Sequence, residues 1–361
     1  MFLVKRGLVL EVNQEAPGLQ EVTVQVEGET ARAVNYPDLT GRIREGDRVL
    51  LNTTACVLKL GTGGRHFVLG IEKKEERKLS GKGHIMKLRY TPWQIRVEAA
   101  EEESSPYHRQ IKEFSSLENI PVIVGGLHSM IAPALLAYRS RRQRSERTAY
   151  IMTDGAALPV QFSRVVRELK SCGLLQTVIT CGHAFGGDLE TVNFYSALAA
   201  AKAAAGAGLV VAAMGPGIVG TNTKYGFSGV EQAYMLEAVE RLGGKPVAVP
   251  RVSFADHRPR HRGLSHHSRT VLSHLTYARA YIGFPKWGDG RDNLLKEQIQ
   301  AERLAEKHCL FFVRIPPVGE LLRRWELEVT TMGRSYEEDP SFFDTVAAAG
   351  VVAAGLAGGE I

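Results

Sequence analysis

Cysteine is scarce in this chain. The four present, Cys56, Cys172, Cys181 and Cys309, stand far apart, and no two form a Cys-x-x-Cys pair. In a chain of 361 residues that argues against a disulfide framework and for reduced thiols in the cytosol. A leader is not legible: Lys5 and Arg6 interrupt the apolar run in MFLVKRGLVLEV, and no small-residue cleavage site follows. Long hydrophobic runs are also missing. Val346–Gly359 is small and apolar but shorter than the roughly 20 residues of a membrane span, so a buried helix packed closely through its Ala and Gly is expected, and no membrane partner. Neither H-E-x-x-H nor G-x-S-x-G occurs, which removes the standard zinc-protease and nucleophile-elbow readings.

What is present changes along the chain. Up to about residue 71, short β-branched segments (LQEVTVQVEG, ETARAVNY, DRVLLNTT, HFVLGI) are punctuated by Gly, Asn, Asp or Pro, which predicts a small β-barrel-like domain over 1–82. EKKEERKLSGKG, residues 72–83, reads as a charged linker, and the segment after it as one or two further strands. Residues 106–119 read as a helix. From there apolar runs (PVIVGG, TAYIMTD, LLQTVITCG, GLVVAAMG, KPVAVPR, ARAYIGF, CLFFVR) alternate with helical segments. Strand–helix alternation with nearly continuous apolar strands predicts, over 83–361, an α/β, Rossmann-like, mostly parallel sheet covered by helices on both faces.

Parallel α/β sheets bind ligands beyond the carboxyl ends of their strands, and here those ends are Gly-rich and polar: GGLHS, TDGAALP, TCGHAFGGD, MGPGIVGTNTKYG, RVSFADHRPRHRGLSHH and GFPKWGDG. The opposite ends are plain. Turn and cap chemistry explains the Gly, Ser and Asp; Asp188, for one, could cap a helix beginning near Glu190. It does not explain the histidines, which cap poorly. Gly215-Pro216-Gly217-Ile218-Val219-Gly220 spells G-x-G-x-x-G, but helical periodicity resumes only near Val230, so a dinucleotide site is not indicated. The same loop, with Gly215, Gly217, Gly220, Thr221, Thr223 and Lys224, is suited to cradling an anion.

The segment ADHRPRHRGLSHHSR packs Asp256, four histidines and four arginines into a short stretch. Asp256, His257, His261, His266 and His267 include metal-ligand types. His266 and His267 would point about 100° apart on a helix, so they reach one ion only if the helix starts between or after them. Arg258, Arg260 and Arg262 suit a phosphate or carboxylate. The alternative is a basic solvated loop.

The function expected is an enzyme acting on an anionic, phosphorylated small molecule by hydrolysis or group transfer, with a divalent metal as the cofactor to test. Asp154, His128, His183 and His266 are the catalytic candidates. Gly215, Gly217, Gly220, Thr221, Thr223, Arg260 and Arg262 are the anion binders, and Asp188, Asp256 and His267 the metal ligands. The alternatives are a non-catalytic nucleotide or anion sensor and an RNA-binding accessory protein. Nucleic acid is the weaker partner: a net charge of +6 is only moderately basic, and the barrel offers Tyr36, Phe67 and few other aromatics for stacking. A homo-oligomer is expected.

The strings GHIMKLRYTP, LHSMIAP, TDGAALP, TCGHAFGGDLE, MGPGIVGT and RHRGLSHH, in this order, resemble an uncharacterised bacterial "domain of unknown function" family, number 3866. The resemblance spans nearly the whole chain. It implies a cytosolic bacterial protein and carries no activity, substrate or catalytic residue.

Overall fold

The computed structural model describes residues 2–61, 63–72, 81–142 and 146–361. Most of the charged stretch 72–83 and the middle of the Arg139–Arg147 cluster lie outside these residues. The chain divides into two compact units, Met1–Arg96 and Val97–Ile361. Residues 83–96 therefore group with the first unit, whereas the composition shift placed the break at 82/83.

The first unit is a closed five-stranded barrel of β1 (Val4–Ala16), β2 (Leu19–Val26), β3 (Glu29–Asn35), β4 (Arg48–Asn52) and β5 (Arg65–Ile71), ordered β1-β2-β3-β5-β4 with β4 returning to β1. All pairs are antiparallel except β3 with β5. Alternation along the strands sends Val9, Val22, Val24, Ala33, Val49, Leu51 and Val68 inward to form its core. A buried polar clasp joins β2 to β3 and to the chain after it: Asn35 donates to Gln20 Oε1 at 2.9 Å, and Gln20 exchanges bonds with the backbone of Ile43 at 3.0 Å.

The second unit is built on an eight-stranded, all-parallel sheet: β6 (Pro121–Gly125), β7 (Thr148–Thr153), β8 (Thr177–Thr180), β9 (Leu189–Glu190), β10 (Leu209–Met214), β11 (Lys245–Val249), β12 (Tyr281–Pro285) and β13 (Cys309–Val313). The order is β9-β8-β7-β10-β6-β11-β12-β13. Alternate residues feed two cores. Ile123, Tyr150, Met152, Val211 and Val247 pack on one face with α1 (Ile131–Arg141), α2 (Arg164–Ser171), α7 (Val318–Arg324) and α8 (Pro340–Gly358). Val122, Ala149, Ile151, Val210 and Ala248 pack on the other with α3 (Phe194–Ala199), α4 (Gln232–Arg241), α5 (His266–Arg269, continued by a π-helical turn to Leu275) and α6 (Gly290–Ala301).

The seven apolar runs anticipated from the sequence are all strands. The eighth, β9, is two residues long and carries no periodicity to read. The helix expected over 106–119 is only His108–Lys112, because Ser115, Ser116, Glu118 and Asn119 follow and the last two take positive φ. The small apolar C-terminal stretch is the end of α8, which begins earlier, at Pro340. This helix is long and apolar enough to cross a bilayer, but 83% of its apolar window is buried within the unit. Its glycines and alanines permit that burial. A Cβ on Gly350 would overlap the carbonyl of Ala134 in α1, and one on Gly283 in β12 would come within 2.5 Å of Ala348 O.

Strand order also locates the crevice. From β6 the chain crosses one face through α1 to β7, leaving a gap that β10 fills. From β10 it crosses the other face through α4 to β11, on the far side of β6. The connections part at the carboxyl ends of β6, β10 and β11, which is the topological switch point where such sheets bind ligands.

Candidate functional site

A pocket of about 370 Å³ opens at that switch point. Its apolar wall is Leu127, Ile218, Val219 and Met332, and its polar wall is Arg251, Arg258, Arg260, His261, His266 and His267. The chain after β11 builds the polar wall. Val252–Ser253 pairs antiparallel with Gly263–Leu264, so the intervening residues double back over Arg251. Gly263, at φ 70°, makes the return, and Gln298 of α6 pins it by accepting from Leu264 N at 2.7 Å and donating to Arg262 O at 3.1 Å. Ser265 then caps α5, accepting from His267 N. The helix thus starts at His266, and His266 and His267 occupy its first two positions.

That start brings both imidazoles to one place, with His261 beside them. Ring centroids lie 4.1 Å apart for His266–His267, 4.7 Å for His261–His266 and 5.1 Å for His261–His267. One nitrogen from each ring lies within 4.8 Å of the other two. His267 also stacks on Phe227, with centroids 4.0 Å apart. His261 is buried, and its Nδ1 faces Ser265 Oγ at 2.8 Å and Arg251 Nη1 at 2.9 Å. Burial, reinforced by neighbouring positive charge, pushes all three imidazoles down: His261 to about 3, His267 to about 4, and His266 below its usual value. They are neutral at pH 7.

Asp256 organises the cations. Arg258 forks onto it through Nε at 2.9 Å and Nη2 at 2.8 Å, and Arg251 Nη2 adds a bond at 3.0 Å. Hydrogen bonds from Arg258 above all hold its carboxyl well below the ordinary carboxylate range. With both oxygens engaged, Asp256 is an arginine clamp and not a metal ligand. Arg260 is exposed and has no acidic partner among the described residues.

The other expected residues fall elsewhere. Gly220 lines the pocket, but most of its loop is a small hairpin: Gly220 bridges to Phe227, Thr221 N bonds to Gly226 O at 2.8 Å, and Thr223 Oγ1 accepts from Gly226 N at 3.0 Å. Thr221 and Thr223 thus spend their polar groups locally. Gly215 is pressed against Ala157, and Gly217 supplies a positive-φ turn without lining the pocket. Arg262 is exposed and outside it. Asp188 does not cap a helix, since Asn193 caps α3; it pairs with Lys170 and accepts from Val178 N at 2.8 Å. His257 is exposed.

His128 is a tie rod. Its Nε2 meets Ser163 Oγ at 2.6 Å, and its Nδ1 lies 3.2 Å from both Tyr150 Oη and Met214 O. Burial lowers it to about 4. Asp154 and His183 meet at the ends of β7 and β8, where Asp154 Oδ2 accepts from His183 N at 2.9 Å over Gly182. Next to them lies Glu231, which reads in sequence as an ordinary helix-start glutamate. It is buried, accepts from Thr153 Oγ1 at 2.7 Å and from Tyr234 Oη at 3.3 Å, and is pushed up to about 7 by burial and then by the charge of Asp154. Glu231, Arg251 and the apolar wall are the features sequence reasoning missed. Arg251 stood inside the basic segment; Met332 had no signal at all.

Residues 32–350 match the family described as "Protein of unknown function (DUF3866)". The chain belongs to this family. The match takes in β10, β11, α5 and every pocket residue, and the barrel from within β3 onward. No curated protein matches the chain.

Proposed function

We propose that the pocket binds an anionic, phosphorylated small molecule and that the protein is an enzyme that hydrolyses it or transfers its phosphoryl group. The observation that carries this reading is three guanidiniums and three neutral imidazoles around one pocket at the switch point, with a single carboxylate among them. Its volume lies in the small-molecule range. Asp256 neutralises part of the charge of Arg251 and Arg258 and holds both forks in place, leaving Arg260 as the uncompensated cation. An arriving anion would oppose the guanidinium charge and draw the imidazoles back up toward neutral pH, where a histidine serves as general acid or base. His266, lining the pocket, fills that role. The small number and wide spacing of the four cysteines accord with a reducing, cytosolic setting.

Calorimetric titration with inorganic phosphate and pyrophosphate tests the binding. Arg260→Gln is expected to weaken it about tenfold or more, as for loss of a charge-assisted contact. Phosphate release from a panel of phosphorylated metabolites tests the chemistry, with His266→Gln losing turnover but keeping affinity. Binding without turnover by the unmodified protein would favour a sensor, and flat titrations would remove the anion reading.

A further inference from the structure

We infer that His261, His266 and His267 form a three-histidine site for a divalent metal of the zinc class, with its open coordination position facing the pocket. Three observations carry this. The donor nitrogens already lie within 4.8 Å of one another. His266 Nε2 is buried and has no hydrogen-bond partner, a costly state for an imidazole nitrogen that a metal bond would relieve. And the three rings come from separately anchored backbone: a buried turn for His261, and the capped first two positions of α5 for His266 and His267.

Tetrahedral zinc with Zn–N bonds of about 2.0–2.1 Å separates its ligand nitrogens by about 3.3 Å, so the rings must close on the ion by up to about 1.5 Å. His266 and His267 are only partly buried, and His267 would have to shift on the face of Phe227, on which it stacks. His261 needs one more adjustment. An arginine only donates, so Nδ1 accepts from Arg251 and Nε2 carries the proton. Binding a metal through Nε2 moves that proton to Nδ1, where Ser265 Oγ, 2.8 Å away, accepts it. A ligating histidine commonly has such an outer partner. Arg251 is then turned away from His261 while keeping its bond to Asp256, which couples metal loading to the position of a pocket guanidinium. Three neutral ligands leave the ion its full charge, and Asp256 offsets the nearest arginines. This set replaces Asp188 and Asp256, whose oxygens are committed to Lys170 and to Arg251 and Arg258, and retains His267; with the ion bound, His266 is a ligand and no longer the general acid or base of the metal-free reading.

The test uses the full chain, stripped with a chelator and dialysed against Zn2+ alone, with bound metal measured by elemental analysis and Co2+ substitution read by visible absorption. The expected result is ~1 metal per chain and a tetrahedral Co2+ spectrum. His266→Gln and His267→Gln should each weaken binding at least tenfold with circular dichroism unchanged, and Asp188→Asn should leave binding intact. Equal metal uptake by the parent and the H266Q/H267Q double variant overturns the site, as does loss in D188N with retention in the histidine variants. Inorganic phosphate titrated into the stripped protein separates this from the anion reading. Phosphate binding without Zn2+ binding removes the metal site only, and the converse removes the anion reading only.

Discussion

Glu231 is the residue whose environment departs most from what its neighbours in sequence suggest. Its carboxyl keeps a proton up to about pH 7 because burial, and then the charge of Asp154, outweigh the hydrogen bonds that Thr153 and Tyr234 donate to it. A carboxyl that holds its proton more tightly in the folded chain than in the unfolded one favours the fold at low pH. That benefit is lost as pH rises from 4.5 through about 7, and above this the ionised group costs the fold up to about 3 kcal/mol. Glu231→Gln removes the charge, keeps one acceptor oxygen for Thr153 and places an amide NH2 against Tyr234 Oη, which can accept from it. The variant is expected to melt above the parent at pH 8 and with it near pH 4.5; thermal scans showing the same difference at both values would mean Glu231 is charged in the folded protein throughout. Single residues were legible in sequence only where type and setting coincide. The histidines at 261, 266 and 267 stood out because they cap poorly, whereas a glutamate at a helix start looks like dipole chemistry, and burial, which sets its acidity, is decided by strands far away in the chain.

At the scale of elements, α8 shows what small residues are for. Gly350 lets α8 close on α1, and Gly283 lets it close on β12. Gly350→Val would drive a branched side chain into the Ala134 carbonyl, an overpacking expected to cost about 3 kcal/mol or more, visible as a lower urea midpoint. Gly217→Ala, whose Cβ meets nothing within 4 Å, should cost only the strain of a side chain at φ 111°, about 1–3 kcal/mol. Apolar runs bounded by Gly made the seven longer strands readable. Helix ends were less so: the segment from Glu190 to Ala205 reads as one helix, yet Glu190 belongs to β9 and Asn193 is the cap. The loop after β10 was read through its glycines as an anion cradle. The hairpin it forms depends on Ser228 and Phe227 returning to Val219 and Gly220, a pairing no local pattern announces.

Across the whole molecule, the α/β class and the preceding barrel followed from periodicity, and the crevice from the rule that parallel sheets bind at strand ends. Strand order did not follow, and it decides which loops meet: 218–222 with 251–267, and Asp154 with His183 and Glu231 in a separate cluster. Removing α8 should be globally damaging, since Phe342, Phe343, Val346 and Val352 complete one of the two cores. Truncation after Asp339 is expected to give insoluble protein, and a soluble, cooperatively melting product would show that the helix is an accessory. The same strand order bears on biosynthesis. β6, the first strand of the sheet, pairs only with β10 and β11, so β6 and β7 leave the ribosome with no bond between them. β7 can pair with β8 once residues 177–180 emerge, but β6 waits for residues 209–214 before the centre of the sheet can close, and the nascent chain carries that apolar strand unpaired for the interval.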